Sequence, residues 1–260
     1  MCFIFMKKLI VFIFLILGLT LYSQKTIHVF VALCDNINQG IVPVPKKLGN
    51  GQNPKTNLYW GALYGVKTHF KRSNDWTFIK KIKSKNPKIL ERVLFKHKTS
   101  NIYLLADAYD GKYIKNTTID FLEASAGHNS ETIKHDNITL KFGGDVKLLS
   151  YVGHDGLMEF SVKGNFIPKN TTRRDVIILA CISKNYFKPY IKKTKANPLV
   201  WTTGLMAPEA YTLKWAIDGW IKNETDLQIR ERAAKAYNNY QKCGLKGAKR
   251  LLVTGFKVDK

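Results

Sequence analysis

Two positions in the 260-residue chain have the residue types for nucleophilic catalysis: His154, in Gly153-His154-Asp155-Gly156, and Cys181, in Ala180-Cys181-Ile182-Ser183. Each closes an apolar run of strand length, Leu148–Val152 and Val176–Ala180. The thiolate is the nucleophilic form of cysteine. A cysteine at the start of a helix is drawn toward it by the helix dipole, here with Lys184 close by in sequence. A histidine within reach then acts as acid and base, protonating a leaving amine and activating water to release the acyl group. Backbone N–H groups of Cys181 and Gly156 are the candidate donors to a developing oxyanion. A plainer reading stays open, with Cys181 a small core hydrophobe and His154 satisfying a backbone carbonyl. Asp107, Asp110, Asp155 and His154 could also meet around a cation. No HExxH pattern or paired Cys/His spacing supports that, so no metal and no cofactor is expected.

The elements that would position these residues are legible as apolar runs. Ile27–Leu33, Ile102–Ala106, Leu148–Val152 and Val176–Ala180, with a weaker run at Leu199–Thr203, read as strands covered on both faces. Helical patterns lie between and after them. Asn57 is the expected cap of a helix through Leu58, Ala62, Gly65 and Phe70, with Gly61 and Gly65 allowing close approach to the sheet. A second helix spans 117–126, a third starts at Pro208-Glu209 and runs through Trp220, and a Thr225/Gln228 capping box opens a last one ending at Gly244. The fold class is α/β, a mostly parallel sheet flanked by helices. In such sheets ligands bind beyond the carboxyl ends of the strands. The glycine- and proline-rich connection 35–56 follows the first strand and exceeds the usual loop length, so it is either a functional loop or a surface excursion.

The two motifs resemble the signature of the caspase-like cysteine peptidases, which include legumains, gingipains, metacaspases and caspases. In that group one apolar strand ends in His-Gly and another, after a crossover, in Ala-Cys. The resemblance in element order runs from Ile27 to about Ile221, and the two short motifs carry it. It implies a caspase-like fold, His154 as the catalytic histidine and Cys181 as the nucleophile. Gly156 would be the oxyanion-hole glycine, with Asp155 standing between it and His154. It also implies that specificity is set after the first and fifth strands, at Asp35 and Asn36 and between Thr203 and Glu209. An acid there, Asp35 or Glu209, implies a lysine or arginine on the substrate.

The chain begins with Lys7 and Lys8, an apolar stretch from Leu9 to Leu21 and a small residue at Ser23. This reads as a signal peptide over residues 1–24, leaving a single domain over 25–260, secreted or periplasmic, with no transmembrane segment after removal. The formal charge of +23 then becomes about +21. Only seven of the basic residues are arginines. Lysine is a point charge and a poorer fork for base edges, so no specific nucleic-acid binding is expected and the clusters Lys80–Lys88, Lys192–Lys195 and Lys246–Arg250 read as solvated. Cys34, Cys181 and Cys243 remain in the mature chain, an odd number. Pairing of Cys34 with Cys243 would leave Cys181 free, but the sequence does not decide it. The expected function is a secreted cysteine endopeptidase acting on a peptide or protein substrate. The alternative is a catalytically inactive binding module of the same fold, holding an acidic partner through its basic surface.

Overall fold

A computed structural model of the chain describes residues 24–257; residues 1–23, which hold nearly all of the expected signal segment, lie outside the described residues. Strand β1 (Lys25–Ala32) is almost wholly buried and feeds both faces of the sheet. Ile27, Val29 and Val31 join one core, Phe30 and Ala32 the other, as alternation along a strand requires. Parallel partners flank it: β4 (Ile102–Tyr109) on one side and β7 (Leu148–Val152) on the other. Next to β7 lie β8 (Asp175–Leu179) and then β9 (Asn197–Thr202), also parallel. These five central strands are the five apolar runs.

Antiparallel strands close both edges. β2 (Trp76–Lys81) and β3 (Ile89–His97) extend the sheet beyond β4, and the short β10 (Leu252–Val253) pairs with β9. The full order is β10-β9-β8-β7-β1-β4-β3-β2, with a separate hairpin of β5 (Glu131–His135) and β6 (Ile138–Phe142). β2, β3 and the hairpin carry charges at short intervals, such as Lys80 and Lys81 on the edge strand β2 and Glu91, Arg92 and Lys96 on β3, and so lack the apolar run that reveals a strand. Charge on an edge strand discourages pairing with another chain.

Helices α1 (Val66–Arg72), α4 (Ala210–Ile221), α5 (Asp226–Gln241) and α6 (Leu245–Leu251) cover one face. Helices α2 (Ile114–Ser125) and α3 (Ser183–Thr194), with the β5–β6 hairpin, cover the other. The Thr225/Gln228 capping box is formed, and Glu209 is the residue before α4. Two expectations fail. Residues 57–65 are turns and not helix: the buried Asn57 side chain accepts the Tyr59 N–H but is also tied to Cys34 N–H and O and the Asn50 carbonyl. Gly61 and Gly65 approach loop backbone, at Pro54–Lys55 and Trp60, and not the sheet. Among the described residues no helix is long and apolar enough to cross a membrane.

Candidate active site

Val152 and Leu179 are directly paired across the parallel strands β7 and β8, and His154 and Cys181 each stand two residues further on. Both side chains line one cavity of about 470 Å³ at the carboxyl rim of the sheet. The 35–56 loop supplies Gly40, Ile41, Val42 and Val44 to the lining of the same cavity.

The turn that presents Cys181 is tightly made. Ile182 has φ 50°, a left-handed conformation that a β-branched residue adopts only under constraint. The constraint is visible in the bonds around it. Ile182 N–H donates to the Gly204 carbonyl at 2.9 Å, Ser183 N–H to Thr202 Oγ1 at 3.1 Å, and Ser183 Oγ to the Ile178 carbonyl at 3.1 Å. Thr202 Oγ1 also donates to the Ala180 carbonyl. Strand β9 thus clamps the start of α3 and holds Cys181 at the rim.

The half-buried Cys181 thiol lies against the backbone of Met206, whose N–H donates to Sγ at 3.3 Å and whose carbonyl is 3.6 Å from it. Burial pushes the thiol's pKa up; the Met206 N–H opposes this and the Asp155 charge adds to it. The expected drift toward thiolate is therefore reversed. Lys184, expected to assist, is buried and donates to the Lys257 carbonyl at 2.6 Å. The Cys181 backbone N–H has no acceptor among the described residues.

His154 is buried and anchored at both ends. Its carbonyl accepts from Tyr151 Oη at 2.9 Å, and its Nε2 lies 2.5 Å from Glu159 Oε1. The same carboxylate oxygen accepts the Gly40 N–H at 2.9 Å, joining the histidine to the 35–56 loop. A carboxylate only accepts, so the Nε2–H is donated to Glu159 and Nδ1 is the nitrogen left to take a proton. Glu159 is absent from the sequence reading. It follows a one-turn helix, Gly156–Met158, and no strand or helix period links it to His154; an acid in the same post-strand loop was the only available signal. Gly153, with φ 152°, runs so close to β1 that a Cβ there would sit 2.8 Å from the Ala32 carbonyl. Between them Asp155 is fully buried, with Oδ1 accepting from Leu157 N–H at 3.1 Å and Oδ2 unpartnered. Burial raises its pKa to about 7, with the Leu157 bond lowering it and the Glu159 charge raising it.

The expected specificity residues separate. Glu209 lines the cavity; its carboxylate accepts from Tyr211 Oη at 2.8 Å and is 3.4 Å from the Gln241 amide, and burial raises its pKa. Asp35 does not line it. Its carboxylate is buried and spent on Ile37 N–H, Asn38 and Gln52; burial opposes its ionisation, but these bonds outweigh it and hold the pKa low. Asn36 closes the same loop on Val44 N–H and O, and Thr203 is exposed and donates to the Arg250 carbonyl. Gly156 is not among the cavity-lining residues, although His154 and Met158 on either side of it are, and a Cβ there would meet Phe160 and Ile114. Cys34 is buried beneath the loop, where burial pushes its pKa to about 11, and Cys243 is exposed; the three described cysteines are free thiols.

The acids and histidine considered for a cation do not gather at the rim. Asp107 accepts from both Nε and Nη2 of Arg92 at 2.6 Å and meets His28 Nε2 at 3.0 Å, while Asp110 caps Lys112 N–H and takes Gln52. His28, Asp107 and Glu131 present ligand atoms within 4.8 Å of one another. The Arg92 guanidinium bridges both carboxylates of that group and supplies the positive charge itself.

Fold and site together define an α/β protein whose mostly parallel sheet carries a histidine and a cysteine at neighbouring strand ends, facing one cavity. Comparison of the chain with protein-family models, with curated proteins and with solved structures finds no match.

Proposed function

We propose that the protein is a cysteine-type peptidase in which Cys181 attacks the scissile carbonyl and His154 shuttles the proton. The observation that carries this reading is the convergence of His154 and Cys181 on one cavity from adjacent parallel strands, with Glu159 on Nε2 of the imidazole. The strand order β4-β1-β7-β8 seats the histidine-bearing and cysteine-bearing strands side by side, as the resemblance to caspase-like peptidases implies.

In the first half-reaction Sγ bonds to the carbonyl carbon while Nδ1 of His154 accepts the thiol proton. The Cys181 N–H donates to the oxyanion. Collapse breaks the C–N bond, and the imidazolium protonates the departing amine. Water then attacks the thioester with His154 as base, releasing the acid and restoring the thiol. Because the resting thiol is neutral, attack and proton transfer are coupled, and Glu159 stabilises the imidazolium that forms. Met206 must withdraw from Sγ when a substrate enters.

A second reading, a cavity that binds without cleaving, is favoured by one observation: the Met206 backbone already occupies the thiol. Purified protein and its Cys181→Ala and His154→Ala variants, incubated with a fluorogenic peptide library under reducing conditions, separate the two. Cleavage lost in both variants is the expected result. Absence of cleavage by the intact protein, with peptide binding retained by Cys181→Ala, overturns the peptidase reading in favour of binding.

A further inference from the structure

The class of side chain this cavity accepts follows from its walls, and that inference rests on the peptidase reading for the identity of the ligand as a peptide. The lining includes Ile41, Val42 and Val44 from the long loop and Leu205, Met206 and Pro208 from the segment after β9. Val42 is 87% and Leu205 73% exposed, so the mouth holds apolar side chains in water. Single exposed apolar residues are ordinary, but two that flank the opening of an apolar cavity beside a candidate nucleophile form an entry. Covering a leucine- or phenylalanine-sized side chain there removes apolar surface from water and so favours binding.

The polar groups point the same way. Glu209 is the one carboxylate among the described lining residues, and it is engaged by Tyr211 and sits near Gln241. A lysine or arginine entering would shed water to meet a carboxylate held at one oxygen by Tyr211 and Gln241 and disfavoured in its charged form by burial, and an aspartate would meet no cation among the lining side chains except His154 if protonated. Asp35, the other acid expected to attract a basic residue, is enclosed in its own loop.

We propose that the cavity takes a large, uncharged apolar side chain, of leucine or phenylalanine type, on the residue whose carbonyl Cys181 attacks. The test has a catalytic and a binding arm. In the first, matched fluorogenic peptides carrying Leu, Phe, Lys or Asp at the cleavage position are turned over by the full-length mature protein. Leu and Phe should exceed Lys and Asp in kcat/KM by about tenfold or more, and Val42→Asp, at an exposed position, should erase most of that margin. In the second, the same peptides bind to Cys181→Ala protein by titration calorimetry, with Leu and Phe again the tighter. Lys or Asp equal to or better than Leu in either arm overturns the apolar assignment. No turnover in the first arm overturns the peptidase reading alone, and the binding order then decides the cavity's preference.

Discussion

The Glu159 carboxylate bonds at once to Nε2 of His154, at 2.5 Å, and to the Gly40 N–H, at 2.9 Å. One side chain therefore fixes the imidazole's orientation and secures the loop that helps line the cavity. The loop's position is thereby coupled to the candidate base.

Replacing that carboxylate by an amide should separate the two duties. Glu159→Gln retains an acceptor for Gly40 but removes the charge that stabilises the imidazolium. We expect kcat to fall by about 10²-fold with KM little changed, and the pH optimum to move. Steady-state kinetics across pH check it; a change confined to KM would assign Glu159 to loop placement only.

The thiols should alkylate in the order Cys243, Cys181, Cys34. Cys243 is exposed, Cys181 is half-buried with its pKa raised by burial, and Cys34 is buried with its pKa near 11. Iodoacetamide at neutral pH followed by peptide mass mapping gives the order directly. Cys181 reacting first would mean a preformed thiolate and a mechanism without coupled proton transfer.

Asp155 makes stability fall as pH rises. Its folded pKa is raised to about 7, whereas in the unfolded chain it ionises near its ordinary value of 3.8. The native state thus holds the extra proton between those values. The Asp155 contribution is fully present below about pH 4, drains away as pH climbs toward 7 and is flat above. Asp155→Asn removes this dependence, so the variant should gain on the wild type by a few kcal/mol at most between pH 4 and 7 in denaturant titrations. A constant difference across that window refutes the assignment.

Arg92→Met should destabilise the fold by about 3–5 kcal/mol, since it strands the wholly buried Asp107 with His28 as its one remaining hydrogen-bond partner among the described residues and frees Glu131. Burial alone would raise the Asp107 pKa, but the bonds from Arg92 and His28 outweigh it and depress it. Its contribution is accordingly present above the ordinary carboxylate range and lost as pH falls through the depressed value. Urea unfolding at pH 7, pH 4 and below about pH 3 should show the variant's deficit shrinking only in the most acid medium.

What the sequence determined by itself was the central sheet and the two chemical positions on its rim. Runs such as Ile27–Leu33 and Val176–Ala180 are apolar at successive positions because both faces are covered, and that pattern survives without knowledge of any neighbour. Where such a run stops, the next residues lie at the strand's end, which is why His154 and Cys181 could be picked out. Only the tertiary structure decided which polar residues face the cavity. Asp35 and Asn36 follow β1 directly, yet their side chains are consumed by the turns of the 35–56 loop, and Gly156 is packed against Phe160. Glu159, Met206 and the loop valines reach the site through backbone turns that have no period in sequence. Strand character is written residue by residue in hydrophobicity; the direction of a side chain after a strand ends depends on backbone dihedrals that distant partners impose, as β9 does on the left-handed Ile182 beside Cys181.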